Sequence, residues 1–588
     1  MSNPCRSVRS LSLLLALALA PPAGAAISGH VYVLGSGAPV AGAWVHVQAE
    51  PTPAVFSAAD GSFTLPVTPA GAVLLTAAVP YLESAPENLL IGSSYASNGD
   101  TAVEIFLDPL PTTDQPDYEP AEYTLCGSCH TNQAAAWETS RHAFTGNNVW
   151  VRDLFSGDGT PGGAAGYVFK ATHDPGTPGF CATCHTPMAD ITAPGGPGTR
   201  DFDDPTIPPY GRQGVTCVTC HQLARIDEGQ INALGHLGKA HYRFPTAPAG
   251  DTWQFVWGPL DDVAFGGMRP SYSPLHRTSL LCASCHQYNN PTTGAPGQNT
   301  YGEWQTSPFA VPGPGFRTCQ DCHMPPAEGF GQNCLFGAPD RPGVDRRVHT
   351  FLGSNAQTLA DNLALTTVAE EVEGGRLRVT ASVDNFGAGH SFPTGVSVRN
   401  ALLVIEATAG GLPLVQISGP QVPWWADDRV PGKQPGDWAG FAGKGFAKVL
   451  EGRINGAGPV VRPVLFIDAE AVTENTLIPS GAVDTTEVEF AIPASFDAGD
   501  VVDVTARLLW RRAWRAVAVE KGWETDARGG PIEIEVHRDD LEVAVSGVDP
   551  AIQEIPALGG YGLAALGAAL GALALATLRR RRHSAASR

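Results

Sequence analysis

The chain is 588 residues long, too long for one ordinary domain, and its length suggests about three or four. It holds 67 glycines and 50 prolines, about a fifth of the chain, so turns must be abundant while the 43% hydrophobic content still allows packed cores. A formal net charge of −21 excludes a generally basic, nucleic-acid-binding protein and favours solubility or a cationic partner. At the start, Arg6 and Arg9, an apolar run over 11–20 and Ala23-Gly24-Ala25 form a secretory signal peptide over 1–25, with Cys5 inside the removed part. The expected location is therefore outside the cytoplasm.

Residues 26–110 read as an all-β module. Gly29-His30-Val31-Tyr32-Val33 leads into a turn, and alternation resumes over 43–49. Asp60-Gly61 marks a tight turn before Ser62-Phe63-Thr64-Leu65, with further strands over 73–78 and 103–107. Gly29-x-Val31, Pro39-Val40-x-Gly42-Ala43-x-Val45 and Asp60-Gly61-Ser62-Phe63 resemble the carboxypeptidase-regulatory-like β-sandwich. That resemblance implies a non-catalytic spacer or adhesion module. A Pro- and Asp-rich linker, 111–120, closes it.

Residues 121–352 contain five Cys-x-x-Cys-His motifs, at Cys126/Cys129/His130, Cys181/Cys184/His185, Cys217/Cys220/His221, Cys282/Cys285/His286 and Cys319/Cys322/His323. Ten of the twelve cysteines lie in them. Only Cys334 is left in the mature chain, expected as a buried inert thiol. The first cysteines are 55, 36, 65 and 37 residues apart, so these are sites joined by uneven loops and not identical repeats.

From 353 to 548 strands return. Leu377, Val379, Ala381 and Val383 alternate after Gly374-Gly375, and 401–407 and 412–417 flank Gly410-Gly411 as a hairpin. Val502, Val504, Ala506, Leu508 and Trp510 share one strand face, and 532–536 and 541–545 complete an antiparallel β-sandwich. The tail, 549–588, holds an uncharged stretch over 557–578, about 33 Å as a helix and enough to span a bilayer. Arg579 to Arg582 would stay cytoplasmic, leaving the cysteine-rich region outside. Ile555-Pro556-Ala557-Leu558, the apolar stretch and the basic end resemble IPTL-type sorting tails, although Ala557 replaces the usual Thr. That resemblance implies membrane anchoring, and surface display after processing.

Each Cys-x-x-Cys-His motif carries two thiols for a haem's vinyl groups and an imidazole for its iron. A zinc site gives no reason for a histidine directly after every second cysteine, whereas covalent haem c explains all five. The expected cofactor is thus five haem c groups, with the motif histidines as proximal ligands.

The sixth coordination positions decide function. His142 follows the first motif; a helix over 132–144 would place it about 18 Å from His130 along the axis, so it serves another haem. His276 precedes the fourth motif and His349 follows the fifth; both are expected ligands. One of His236 and His241 ligates, with His241 preferred, and His173 stays open among turn residues. His390, in the loop 387–395, would dock the C-terminal sandwich on a haem.

The first motif with Trp137-x-x-Ser140-x-His142, then Cys181–His185 with Thr186-Pro187-Met188, Gly214-Val215-Thr216-Cys217 and Cys319–His323 with Met324-Pro325, resemble the multihaem cytochromes of the ammonia-oxidiser tetrahaem and hydroxylamine-oxidoreductase-like group. The loop 387–395 extends the resemblance to about residue 400. It implies closely packed haems, mostly with two histidine ligands.

The expected architecture is multidomain: an N-terminal β-sandwich, a loop-rich and mainly α multihaem domain, a C-terminal antiparallel β-sandwich and a single transmembrane helix. The expected function is electron transfer on the periplasmic side of the membrane, with redox proteins or a quinone-linked donor as partners. The alternative is an oxidoreductase of a small nitrogen compound with one open haem.

Overall fold

The structure is a computed structural model that describes residues 26–546, apart from 52–53, 67–70, 86, 158, 161, 234, 248–253, 265–266 and 428–435. The signal peptide and the apolar tail segment read from the sequence lie outside the described residues. No described helix is long and apolar enough to cross a membrane.

The N-terminal strands form two sheets. Ile27–Val33 pairs antiparallel with Ser62–Leu65 and parallel with Val103–Leu107, while Trp44–Val47 lies between Val55–Phe56 and Ala72–Ala78, which pairs onward to Gly92–Ser97. Period-two alternation sends Ile27, Val31, Val33, Val45, Phe63 and Ile105 into one core. At Gly29 a Cβ would meet the Val103 carbonyl oxygen at 1.9 Å, so the parallel pairing requires glycine there.

The C-terminal strands build a larger sandwich. One sheet runs Ala364–Val372, Arg376–Asp384, Val483–Ala491, Gln416–Ser418; the other runs Ala471–Asn475, Gly443–Glu451, Asn400–Ala409, Val501–Arg511, Glu533–Ala544. Val502, Val504, Ala506, Leu508 and Trp510 face the shared core with Leu377, Val379 and Val383. Two details differ from the sequence reading. The Gly410-Gly411 hairpin keeps only Leu412–Pro413, and Gln416–Ser418 crosses to the other sheet. The last two expected strands are one strand, Glu533–Ala544, with a register shift opposite Leu508/Leu509 absorbing the irregularity.

Between the sandwiches, the described residues of 121–352 form short helices of at most eight residues and four two-stranded ladders: Leu223–Ile226 with Ala240–Tyr242, Phe255–Gly258 with Arg269–Tyr272, Tyr288–Asn289 with Pro296–Gln298, and Phe330–Gly331 with Arg341–Pro342. These ladders were not legible, because each strand is too short to show a period. Apolar packing here is limited to small clusters such as Phe155/Phe169/Phe202 and Leu223/Ile226/Ala240. Such clusters are meagre for a segment of this length.

Both sandwiches are docked on this middle region. Tyr81, Leu90 and Leu110 share a cluster with Phe255 and Trp257, and the Ala49 amide donates to Asp262 Oδ2 at 2.8 Å. Asp262 in turn pairs with buried Arg341 at 2.8 Å. On the other side, Trp523 stacks on Trp150 at 4.3 Å and donates from Nε1 to Asp153 Oδ2 at 2.7 Å.

Candidate haem-binding site

Each motif takes up about one helical turn, which puts its two cysteines, three residues apart, on one face. Cys181–His185, Cys217–His221 and Cys319–His323 are helices in their own right, Leu280–His286 contains the fourth motif, and the first straddles the end of Tyr123–Gly127. Local sequence starts two of these helices. The Asp321 amide donates to Thr318 Oγ1 while the Thr318 amide donates to Asp321 Oδ2, and at the third motif the Thr216 amide donates to Thr219 Oγ1 at 3.1 Å.

All ten motif cysteines and all five motif histidines line one cavity of about 1950 Å³. That is well beyond the ~300–1,000 Å³ of an ordinary ligand pocket. Thiols from different motifs meet across it: Cys126 with Cys217, Cys184 with Cys285, and Cys282 with Cys319. The first motif therefore neighbours the third, and the fourth neighbours both the second and the fifth.

Histidines far apart in sequence face each other in this space. The rings of His221 and His276 stack with centroids 5.4 Å apart, those of His323 and His390 at 6.4 Å, and His142 lies 6.3 Å from His286. Two imidazoles ligating one metal from opposite sides, each nitrogen about 2 Å away, would have centroids about 6 Å apart. The expected helix over 132–144 ends at Glu138. His142 opens a separate 3₁₀ turn, His142–Asn147, that turns it toward the fourth motif.

Second hydrogen bonds orient the rings. His130 Nδ1 meets the Asn333 carbonyl at 2.7 Å, His221 Nδ1 the Trp257 carbonyl at 2.7 Å and His349 Nδ1 the Arg347 carbonyl at 2.8 Å. His323 Nδ1 meets the Leu352 carbonyl, and His390 Nδ1 the Ser391 carbonyl at 3.1 Å. A proton held on Nδ1 leaves the Nε2 lone pair for a metal. His276 is reversed: its Nε2 bonds the Cys220 carbonyl at 3.0 Å, and its buried Nδ1 has no protein partner. Burial holds the imidazoles of His142, His185, His349 and His390 at about 4 and those of His276 and His286 at about 3, the neutral form a metal needs. A large apolar cavity, paired thiols, opposed neutral imidazoles and the orphaned Nδ1 atoms of His185 and His276 together fit covalently attached haem.

No known family's model matches the chain, and no curated protein matches it. Among solved structures it is similar to a penta-heme cytochrome c552 from Thermochromatium tepidum. The two are 20% identical, with a TM-score of 0.47 over 72% of this chain and 99% of that one.

The remaining histidines are placed differently. His349 lines the cavity in electrostatic range of His221 and His130. His236, not His241, is on the cavity wall; its Nε2 bonds Tyr242 Oη at 2.6 Å and its Nδ1 meets Cys285 Sγ at 3.2 Å. His241 sits in the Ala240–Tyr242 strand and is not among the lining residues. His173 bonds Asp468 at 3.0 Å, bonds Thr172 Oγ1 at 3.0 Å and stacks on Phe169, away from the cavity wall. Cys334 is buried as expected, but its thiol meets that of Cys129. Sequence reasoning did not find Lys239, fully buried beside the second and fourth motifs, nor Arg399 on the cavity wall. A charged residue in a loop carries no periodic signal that it will be buried.

Proposed function

We propose that the chain is an exported pentahaem c-type cytochrome that passes electrons along a contiguous row of haems. The observation that carries this reading is the set of three facing imidazole pairs in one cavity lined by all five Cys-x-x-Cys-His motifs. Haem c, when bound, supplies one-electron redox chemistry. The cysteines would hold it covalently, and His130, His185, His221, His286 and His323 would be the proximal ligands. His276 would lie opposite His221, His142 opposite His286, His390 opposite His323 and His349 opposite His130. Two imidazoles on each of these four irons would leave no position for substrate there, and the carbonyls on Nδ1 would fix the ligands so that little reorganises on electron transfer. The thiol contacts would place the first haem beside the third, and the fourth beside both the second and the fifth. Redox proteins or a quinone-linked donor would exchange electrons with it, and the apolar tail would anchor it to the membrane from the periplasmic side.

His142→Ala tests this assignment. Five haems should remain by haemochrome absorbance, while electron paramagnetic resonance shows one additional low-spin haem turning high-spin. An unchanged low-spin spectrum would remove His142 from the ligand set, and a protein purified without haem would sink the whole reading.

One observation favours a second reading, an oxidoreductase of a small nitrogen compound. His185 packs edge-on against Phe202 at 5.8 Å, and none of the described histidines has a ring facing it. The second haem would then offer an open position to a substrate. A stoichiometric high-spin ferric signal in the unaltered protein supports this reading, and an entirely low-spin spectrum eliminates it.

A further inference from the structure

Arg399 is the least expected residue on the cavity wall. It lies deep in the protein, and burial pushes its guanidinium below the usual arginine range. Its side chain has one hydrogen bond, from Nη1 to the Thr394 carbonyl at 3.2 Å, and no carboxylate pairs with it among the described residues. The group rests on Gly395, whose φ of +97° leaves no side chain there; a Cβ would meet Arg399 Nη1 at 2.5 Å. A cradle is thus built for a guanidinium that no described residue neutralises.

Two further arginines stand within electrostatic range. Arg141 and Arg512 line the same cavity and share a single carboxylate, Asp526, at 2.6 and 3.0 Å. Arg512 feels Arg141, Asp526 and Arg399, with burial the largest influence on it. Three cations against one anion, inside a molecule of net charge −21, is a local reversal of sign. An unpaired charge in such a place is costly unless a ligand brings the opposite charge. The cluster also adjoins the fourth motif: Arg141 precedes His142, and Arg399 is among the charges acting on the buried His286.

We infer that Arg399, backed by Arg141 and Arg512, forms an anion site on the cavity wall for a carboxylate or an oxyanion of similar size. The planar fork of a guanidinium matches two oxygens of such a group. Two sources have this chemistry: a propionate of the haem held at Cys282, Cys285 and His286, or a free oxyanion entering from solution. The first rests on the haem reading above, and the second does not.

The test uses the purified full-length holoprotein and its Arg399→Leu and Arg399→Lys variants. Haem count comes first, because a protein without haem refutes the haem reading and leaves only the free-oxyanion source in play. With haem present, potentiometric titration resolves the five midpoints. If a propionate fills the site, Arg399→Leu lowers one midpoint and makes it pH-dependent near neutrality, because the carboxylate is no longer held ionised. Arg399→Lys recovers most of the loss, and inorganic phosphate has no effect on either protein. If the anion comes from solution, phosphate raises the thermal midpoint of the wild type and leaves that of Arg399→Leu unchanged. Equal midpoints in wild type and Arg399→Leu, together with no phosphate response in either, overturn the site. Should Arg399→Leu not fold, Arg399→Lys is read the same way against wild type, with a smaller displacement expected and none overturning the proposal.

Discussion

Lys239 shows at the scale of one residue how burial sets chemistry. Its ammonium is enclosed and donates to the carbonyls of Ile231 at 3.0 Å, Ala233 at 3.3 Å and Gln287. Burial lowers its pKa to about 8, and the nearby Cys184 and Cys285 thiols act in the opposite sense. A cation beside the second and fourth motifs favours the reduced state of whatever redox group they hold. Lys239→Met should therefore lower a midpoint potential there by about 40 mV, corresponding to about 1 kcal/mol at an effective dielectric of about 20. Potentiometry at constant haem count checks it, and an unshifted set of midpoints would deny Lys239 any electrostatic role. Nothing in the sequence around Lys239 marked it, since its three carbonyl partners come from two separate loops.

Among the elements, the attachment helices were legible and their partners were not. Cys-x-x-Cys-His is a local pattern that one helical turn can satisfy, so its identity needed no fold. His142 was expected to act away from its own motif, and its ring does lie beside that of His286, but the reason differs from the one expected. The helix stops at Glu138, and a 3₁₀ turn, not axial distance, aims the ring at His286. The docking of the N-terminal sandwich was also hidden. It depends on Asp262, whose Oδ2 takes the Ala49 amide while Arg341 pairs with it, all three parts coming from distant segments. Asp262→Ala leaves Arg341 buried without its partner and should cost about 3–5 kcal/mol. Limited proteolysis within 111–120 should accelerate, and an unchanged cleavage rate would mean that the pair does not hold the sandwich in place.

On the scale of the whole molecule, burial of so many imidazoles sets the response to acid. Folded, His142, His185, His236, His349 and His390 titrate at about 4 and His276 and His286 at about 3, with burial the leading cause. In the unfolded chain each titrates near 6.5. Between those values the unfolded state binds more protons, so the stability present above about 6.5 is lost as pH falls toward 4. The upper bound is about 1.4 kcal/mol per histidine for each pH unit. Denaturant unfolding at pH 7.5 and pH 5 should show a clear fall in the midpoint, and equal midpoints would mean these rings are not held neutral. Iron ligation, as proposed above, would keep the same sign, because it too requires neutral imidazole.

The sequence by itself determined the number and place of the attachment motifs, the two flanking strand-rich regions and the acidic character of the whole. These are properties of residues within a turn or a strand of one another, or of simple composition. Only the tertiary structure decided which histidines oppose which, that His236 and not His241 reaches the cavity, that His173 is tied to Asp468, and that Arg141 and Arg512 share one carboxylate. Those pairings join residues tens to hundreds of positions apart through short helices and loops, where no periodicity survives to announce a contact. The spacing along the chain places each Cys-x-x-Cys-His motif; the folding of loops around a shared cavity decides what stands opposite its histidine.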